Sequence, residues 1–147
     1  MFDVFIAPLH CPACGADAPN AEIQTYILRD GAAIRLGSQL DAVYLTTENL
    51  LSADYVLIAE EPAAGEPIRL LDMWVCPSCT DQWAIIDIVD GRVREIAAVT
   101  LDRATLLSAH FISETNANIL ADSLRVESDS GLDSVEVLKR RLPERKL

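Results

Sequence analysis

Hydrophobic positions follow two different periods along the chain. Up to about residue 100 they alternate with polar ones or gather in short blocks between turn residues, as strands do; beyond it they recur at helical spacing. Phe2, Val4, Phe5 and Ile6 predict a first strand that Pro8 ends and that leads straight to Cys11. A loop over 16–21 precedes an apolar run at 23–28, and a second run passes through Ile34 and Leu36, so a hairpin turning at Asp30-Gly31 is expected. Thr46 or Thr47 can cap a helical turn around 48–51, 55–59 reads as a strand, and 60–67, with two prolines and a glycine, reads as a loop.

The next segment, 68–75, leads into a second pair of cysteines, after which the runs 82–89 and 92–99 flank Asp90-Gly91, a two-residue hairpin signal. A loop of those two residues sets Val89 opposite Arg92, Ile88 opposite Val93, Asp87 opposite Arg94, Ile85 opposite Ile96 and Trp83 opposite Ala98. Opposite charges and apolar partners then meet across the strands, each pair worth about 0.2–1 kcal/mol. Past Thr100 the period changes. Asp102 can cap a helix over 103–111, and Ser113-Glu114 can open one over 115–126, where Ala117, Leu120, Ala121 and Leu124 share a face. Asp133 with Glu136 gives a capping-box-like start to 134–142, stopped by Pro143. The expected fold class is α+β, an antiparallel β-sheet followed by C-terminal helices, divided as a domain over 1–132 and a basic helix and tail over 133–147.

All four cysteines lie in two matching pieces, Cys11-Pro12-Ala13-Cys14-Gly15 and Cys76-Pro77-Ser78-Cys79-Thr80. A C-x-x-C turn aims two sulfurs at one point; proline after the first cysteine presets φ, and glycine after the second accepts a left-handed backbone. Two such turns supply four thiolates to one tetrahedral ion. In these residues the chain resembles the zinc-ribbon family, whose C-P-x-C-G knuckles sit on neighbouring β-hairpins, and it is similar to small uncharacterised bacterial zinc-ribbon proteins. The resemblance implies a structural Zn²⁺ held by Cys11, Cys14, Cys76 and Cys79, and carries no activity with it. Two departures stand out: 61 residues lie between Cys14 and Cys76, and Thr80 occupies the second glycine position. A long insertion costs little, since loop-closure entropy grows by only about 0.6 kcal/mol per doubling. Thr80 requires either an uncomfortable backbone angle or a relaxed turn. Iron in a rubredoxin-like site uses similar knuckles, and disulfide or redox chemistry is the remaining reading of the cysteines.

Four thiolates close a zinc's coordination and leave no open position for catalysis. His10 adjoins the first knuckle, where it could replace a ligand but reads better as a solvated neighbour; His110 reads as packed or exposed rather than as a base. Glu60-Glu61 fits a solvated turn, and Trp74 and Trp83, flanking the second knuckle, fit a cover for the metal and a pin for the hairpin, the functional alternative being an exposed aromatic on a binding face. No nucleophile elbow or phosphate-binding glycine loop occurs.

Charge narrows the choice of partner. With 23 acidic and 12 basic residues in 147, the net charge is −11, which disfavours nucleic acid and anionic membrane. No run approaches the length of a membrane span, and Asp3 sits where a secretory signal would carry bases, so a cytoplasmic protein is expected. Lys139, Arg140, Arg141, Arg145 and Lys146 crowd the last nine positions. Such a cluster suits a helix C-terminus, and is otherwise a candidate partner-binding patch, on an acidic surface of its own domain, a second copy or another molecule. The expected function is that of a non-enzymatic, zinc-stabilised protein-interaction module, an accessory subunit, regulator or inhibitor, with an acidic surface and a capacity for self-association. The alternatives are a nucleic-acid-associated zinc-ribbon protein of transcription or translation, and an enzyme with a site in 16–75.

Overall fold

A computed structural model describes residues 1–144 and has the expected α+β class: two sheets of mostly antiparallel strands with helices gathered toward the C-terminus. The first sheet comprises β1 (Asp3–His10), β2 (Asp17–Thr25) and β3 (Ala33–Arg35) in the order β2-β1-β3. β1 turns Asp3, Phe5, Ala7 and Leu9 inward at the period of a strand. Pro8 does not end it. Pro8 and Pro19 both fall in an irregular stretch between the pairs Ala7/Ala21 and Leu9/Ala18, where a residue lacking N–H forfeits no ladder bond. Most of 16–21 is therefore strand rather than loop.

The expected hairpin at Asp30-Gly31 is absent, because β3 pairs in parallel with β1, Phe5 opposite Ile34. Asp3 accounts for this. Its fully buried carboxylate accepts the backbone N–H groups of Leu28 at 2.8 Å, Arg29 at 2.9 Å, Asp30 at 3.2 Å and Ala32 at 3.1 Å, which rolls the chain around the N-terminal strand. Burial acts to raise this carboxyl, but the four donors outweigh it and hold it below its usual range.

The second sheet contains β4 (Tyr55–Leu57), β5 (Ile68–Val75), β6 (Asp81–Val89), β7 (Arg92–Val99) and β8 (Phe111–Ser113), ordered β4-β8-β5-β6-β7. The expected helix over 103–111 stops early, as α2 (Arg103–Ser108), and 111–113 forms β8 between β4 and β5. Phe111 and Ile112 are buried on opposite faces of the sheet, which a central strand allows. The turn at Asp90-Gly91 is as expected, and so are the pairs Val89/Arg92 and Ile88/Val93. A bulge then shifts the register: Asp87 faces Glu95 rather than Arg94, Ile85 faces Ala97 rather than Ile96, and Trp83 faces Val99 rather than Ala98. In an unbroken strand Val93 and Ile96, three apart, would point to opposite faces. The extra residue lets both enter one core, opposite Ile88 and Ile86. Asp87 instead pairs with Arg69 on β5, at 2.8 Å.

The second sheet is the middle of three layers. Leu70, Trp74, Ile86, Ile88 and Phe111 face the first sheet in one core, while Leu71, Trp83, Ile85 and Ile112 face the helices in another. α1 (Thr47–Ser52) borders the first core and begins at Thr46, whose Oγ1 accepts the N–H of Asn49. α2, α3 (Glu114–Leu124) and α4 (Ser134–Arg141) cover the second; Asp102 and Asp133 cap α2 and α4 as expected. The apolar stripe of the last helix, Val135, Leu138 and Leu142, docks on this chain's own second core together with Val137.

Candidate metal centre

Each knuckle sits where two antiparallel strands meet: the first follows β1 and precedes β2, the second joins β5 to β6. In the first, Cys11 N–H donates to the Ala16 carbonyl at 2.9 Å and Gly15 N–H to the Cys11 carbonyl at 3.0 Å, with Gly15 at φ +79. The second is one residue tighter: Cys76 N–H donates to the Thr80 carbonyl at 3.2 Å, and Thr80 avoids positive φ. The turn relaxes and the threonine is unstrained.

Packing of the two sheets brings these turns together. Cys11 Sγ lies 3.5 Å from Cys79 Sγ and Cys14 Sγ 3.6 Å from Cys76 Sγ, and all four sulfurs lie within 4.8 Å of one another. A tetrahedral ion with metal–sulfur bonds of about 2.3 Å sets its ligands about 3.8 Å apart, so the donor set fits a four-thiolate ion in number and spacing. Cys11 and Cys76 are buried beside Trp74 in the first core, while Cys14 and Cys79 face outward. Among the sulfurs ionisation is uneven. Desolvation opposes it at Cys11, but the N–H groups of Cys14 and Ala13 prevail and pull that thiol down to about 6; desolvation and the neighbouring sulfurs push Cys79 up to about 12. A cation at their centre would offset the mutual repulsion and favour four thiolates.

The other candidate residues lie outside the cluster. His10 is exposed, its Nδ1 2.8 Å from the Asp17 carboxylate across the strand pair, and is the solvated neighbour expected. His110 is partly buried, where Nδ1 accepts the N–H of Arg69 at 3.2 Å. Trp74 and Trp83 are both buried in opposite cores, with Trp74 Nε1 donating to the Trp83 carbonyl at 3.1 Å; they pin the hairpin rather than project from it. Glu60 and Glu61 lie in an exposed loop. Of the basic cluster, Lys139 pairs with Glu136 at 3.5 Å, Arg141 grips the fully buried Asp129 through two nitrogens at 2.9 and 3.1 Å, and Arg140 is exposed; Arg145 and Lys146 lie outside the described residues.

One polar group in the first core escaped the sequence reading. Tyr55 donates its hydroxyl to the Asp72 carboxylate, and Thr25 Oγ1 lies 2.9 Å from the same hydroxyl, joining β2, β4 and β5. All three are buried, and burial pushes the Asp72 carboxyl up to about 7. An aspartate inside the apolar run Ile68–Val75 was the available signal. Among the described residues no helix is long and apolar enough to cross a membrane. Comparison with protein-family models, with curated proteins and with solved structures finds no match, so the likeness to zinc ribbons rests on the two knuckles and their meeting.

Proposed function

We propose that this chain is a zinc-stabilised protein-interaction module with no catalytic role for its metal. The observation that carries the reading is the meeting of four sulfurs, the whole cysteine inventory, from two strand pairs 61 residues apart in sequence. Four thiolates favour zinc, saturate it, and leave it a clamp between the sheets. Structural zinc supplies roughly 10–16 kcal/mol of apparent binding free energy in small domains, comparable to the whole stability of a domain. Elemental analysis should find one zinc per chain, and chelation or Cys76→Ser should sharply lower the unfolding midpoint. A folded, reduced sample without metal would falsify the assignment; the red colour of a ferric tetrathiolate would replace zinc by iron.

Charge supports a protein partner over nucleic acid. Arg69, Arg103, Arg125, Lys139 and Arg141 are each engaged with a carboxylate of the chain, so neutralisation inside the fold consumes cations that are already scarce. The remaining field repels phosphate and steers basic surfaces inward. Co-purification of a defined protein with the zinc-loaded chain is the expected result. Binding to RNA or DNA that weakens steeply with salt would favour the nucleic-acid alternative.

A further inference from the structure

The tips of both knuckles, 12–15 and 77–80, are exposed. Each carries one exposed cysteine, Cys14 or Cys79, while Cys11 and Cys76 are buried. The sulfur contacts of Cys11 with Cys79 at 3.5 Å and of Cys14 with Cys76 at 3.6 Å both cross from one knuckle to the other, and each pairs an exposed sulfur with a buried one. A disulfide is about 2.05 Å long, so each pair has about 1.5 Å left to close. The backbone beneath is held without the sulfurs. The ladders that carry the turns run out to His10/Asp17 and Val75/Asp81, and the N–H groups of Cys11 and Cys76 donate to the Ala16 and Thr80 carbonyls.

Resting on the reading of the four cysteines as a structural zinc site, we propose that the site is a peroxide-responsive clamp, in which oxidation joins Cys11 to Cys79 and Cys14 to Cys76, expels the ion and leaves the two sheets covalently linked. Hydrogen peroxide delivers one oxygen to the exposed Cys79 thiolate; its O–O bond breaks, the sulfur becomes a sulfenic acid and hydroxide leaves. The Cys11 thiolate then attacks that sulfur, the S–S bond forms and the sulfenic oxygen departs as a second hydroxide. Two electrons pass from the two sulfurs to the peroxide. Cys14 and Cys76 repeat the cycle with a second peroxide, after which no thiolate remains to hold a divalent ion. Disulfides inside each C-x-x-C turn would release the sheets from one another, whereas the crossed pairs close long loops and so constrain the unfolded chain. Neutral disulfides in place of thiolates also take negative charge from the exposed tips, which weakens their pull on a basic partner.

The test adds hydrogen peroxide to the zinc-loaded full chain and follows zinc release with a chromogenic chelator. Zinc should leave as about two peroxides are consumed per ion. Without reductant, the tryptic peptides 1–29 and 70–92, which carry one knuckle each, should then run as one linked species, and electron-transfer fragmentation should assign the links to Cys11 with Cys79 and Cys14 with Cys76. The oxidised, zinc-free chain should unfold about 10 °C or more above the reduced chain stripped by a chelator. A dithiol reductant with added zinc should restore the starting state. Unlinked peptides that each hold their own disulfide, sulfinic acids in place of disulfides, or zinc retained under peroxide that fully oxidises glutathione would each overturn the clamp. These outcomes in a chain that binds zinc and is destabilised by chelation would leave the structural-zinc reading standing. A folded, reduced chain that takes up no zinc would overturn that reading instead, and the clamp with it.

Discussion

Single buried carboxylates do opposite things in this fold, according to what surrounds them. Asp3 and Asp129 are both without solvent exposure, yet each is held below the usual carboxylate range, Asp3 by backbone donors and Asp129 by Arg141 and the N–H of Val126. Their contribution is present at neutral pH and is lost as pH falls through their lowered values. Asp72 is 2% exposed and has only the Tyr55 hydroxyl and the Met73 N–H to favour its charge, so burial dominates and pushes it up to about 7. Unfolded, an aspartate titrates near ~3.9. Between these values the folded chain holds a proton that the unfolded chain has released, so Asp72 makes stability fall as pH rises from about 4 to about 7, by up to roughly 4 kcal/mol. Asp72→Asn keeps the shape and removes the titration. Denaturant unfolding between pH 4 and pH 8 should show the variant with a flatter slope and greater stability than wild type at pH 8. Coincident profiles would mean that Asp72 ionises in the fold as easily as in water.

At the scale of elements, the hairpin of β6 and β7 shows how a core face overrides ideal pairing. Residues 94 and 95 both lie between Val93 and Ile96, and the bulge is what brings those two apolar side chains to one side. Deleting Arg94 should therefore leave a regular hairpin with Ile96 still opposite Ile86, at a cost within about 1 kcal/mol, the scale of one cross-strand pair. Pairing without a bulge predicts the reverse, a deletion that turns Ile96 out of the core and unfolds the protein. At the turn itself, Gly91 sits at φ +80, accepts the N–H of Leu40 at its carbonyl oxygen at 2.7 Å, and leaves room for no Cβ, which would lie 2.5 Å from the Leu40 oxygen. Gly91→Val should cost more than the ~1 kcal/mol of an unstrained glycine change, measured by urea unfolding. Features set by neighbours in sequence were legible: the Asp90-Gly91 turn, the caps at Thr46, Asp102 and Asp133, and the two knuckles. The cysteine cluster was legible because each half carries its own turn chemistry. What escaped depends on distant partners. β3 follows Asp3 rather than its own turn, β8 is three residues long, the Leu40 contact crosses 51 residues, and the Thr25, Tyr55 and Asp72 network gathers one residue from each of three strands.

For the whole molecule, the middle sheet couples the two cores, since alternate residues of β5, β6 and β8 belong to different ones. The four-cysteine cluster borders the first core alone, with Cys11 and Cys76 packed there, and the last helix borders the second. α4 buries Val135, Val137, Leu138 and Leu142, and Arg141 fixes the preceding loop through Asp129. Burial of four aliphatic side chains stabilises by roughly 6–12 kcal/mol before entropy, at ~1.5–3 kcal/mol each, against a backbone cost of about 1–2 kcal/mol per ordered residue. The two nearly cancel, so the helix is a cover for the second core rather than its main source of stability. Removal of 133–147 should expose Leu106, Ala117 and Ala121, neighbours of that helix in the second core, while leaving every cysteine in place. The truncated chain should still bind one metal ion, with a lowered thermal midpoint and increased binding of a hydrophobic dye. A chain that keeps its midpoint would show that 133–147 is a separable appendage to 1–132; one that loses metal binding would show that the two cores fold as a single unit through the sheet they share.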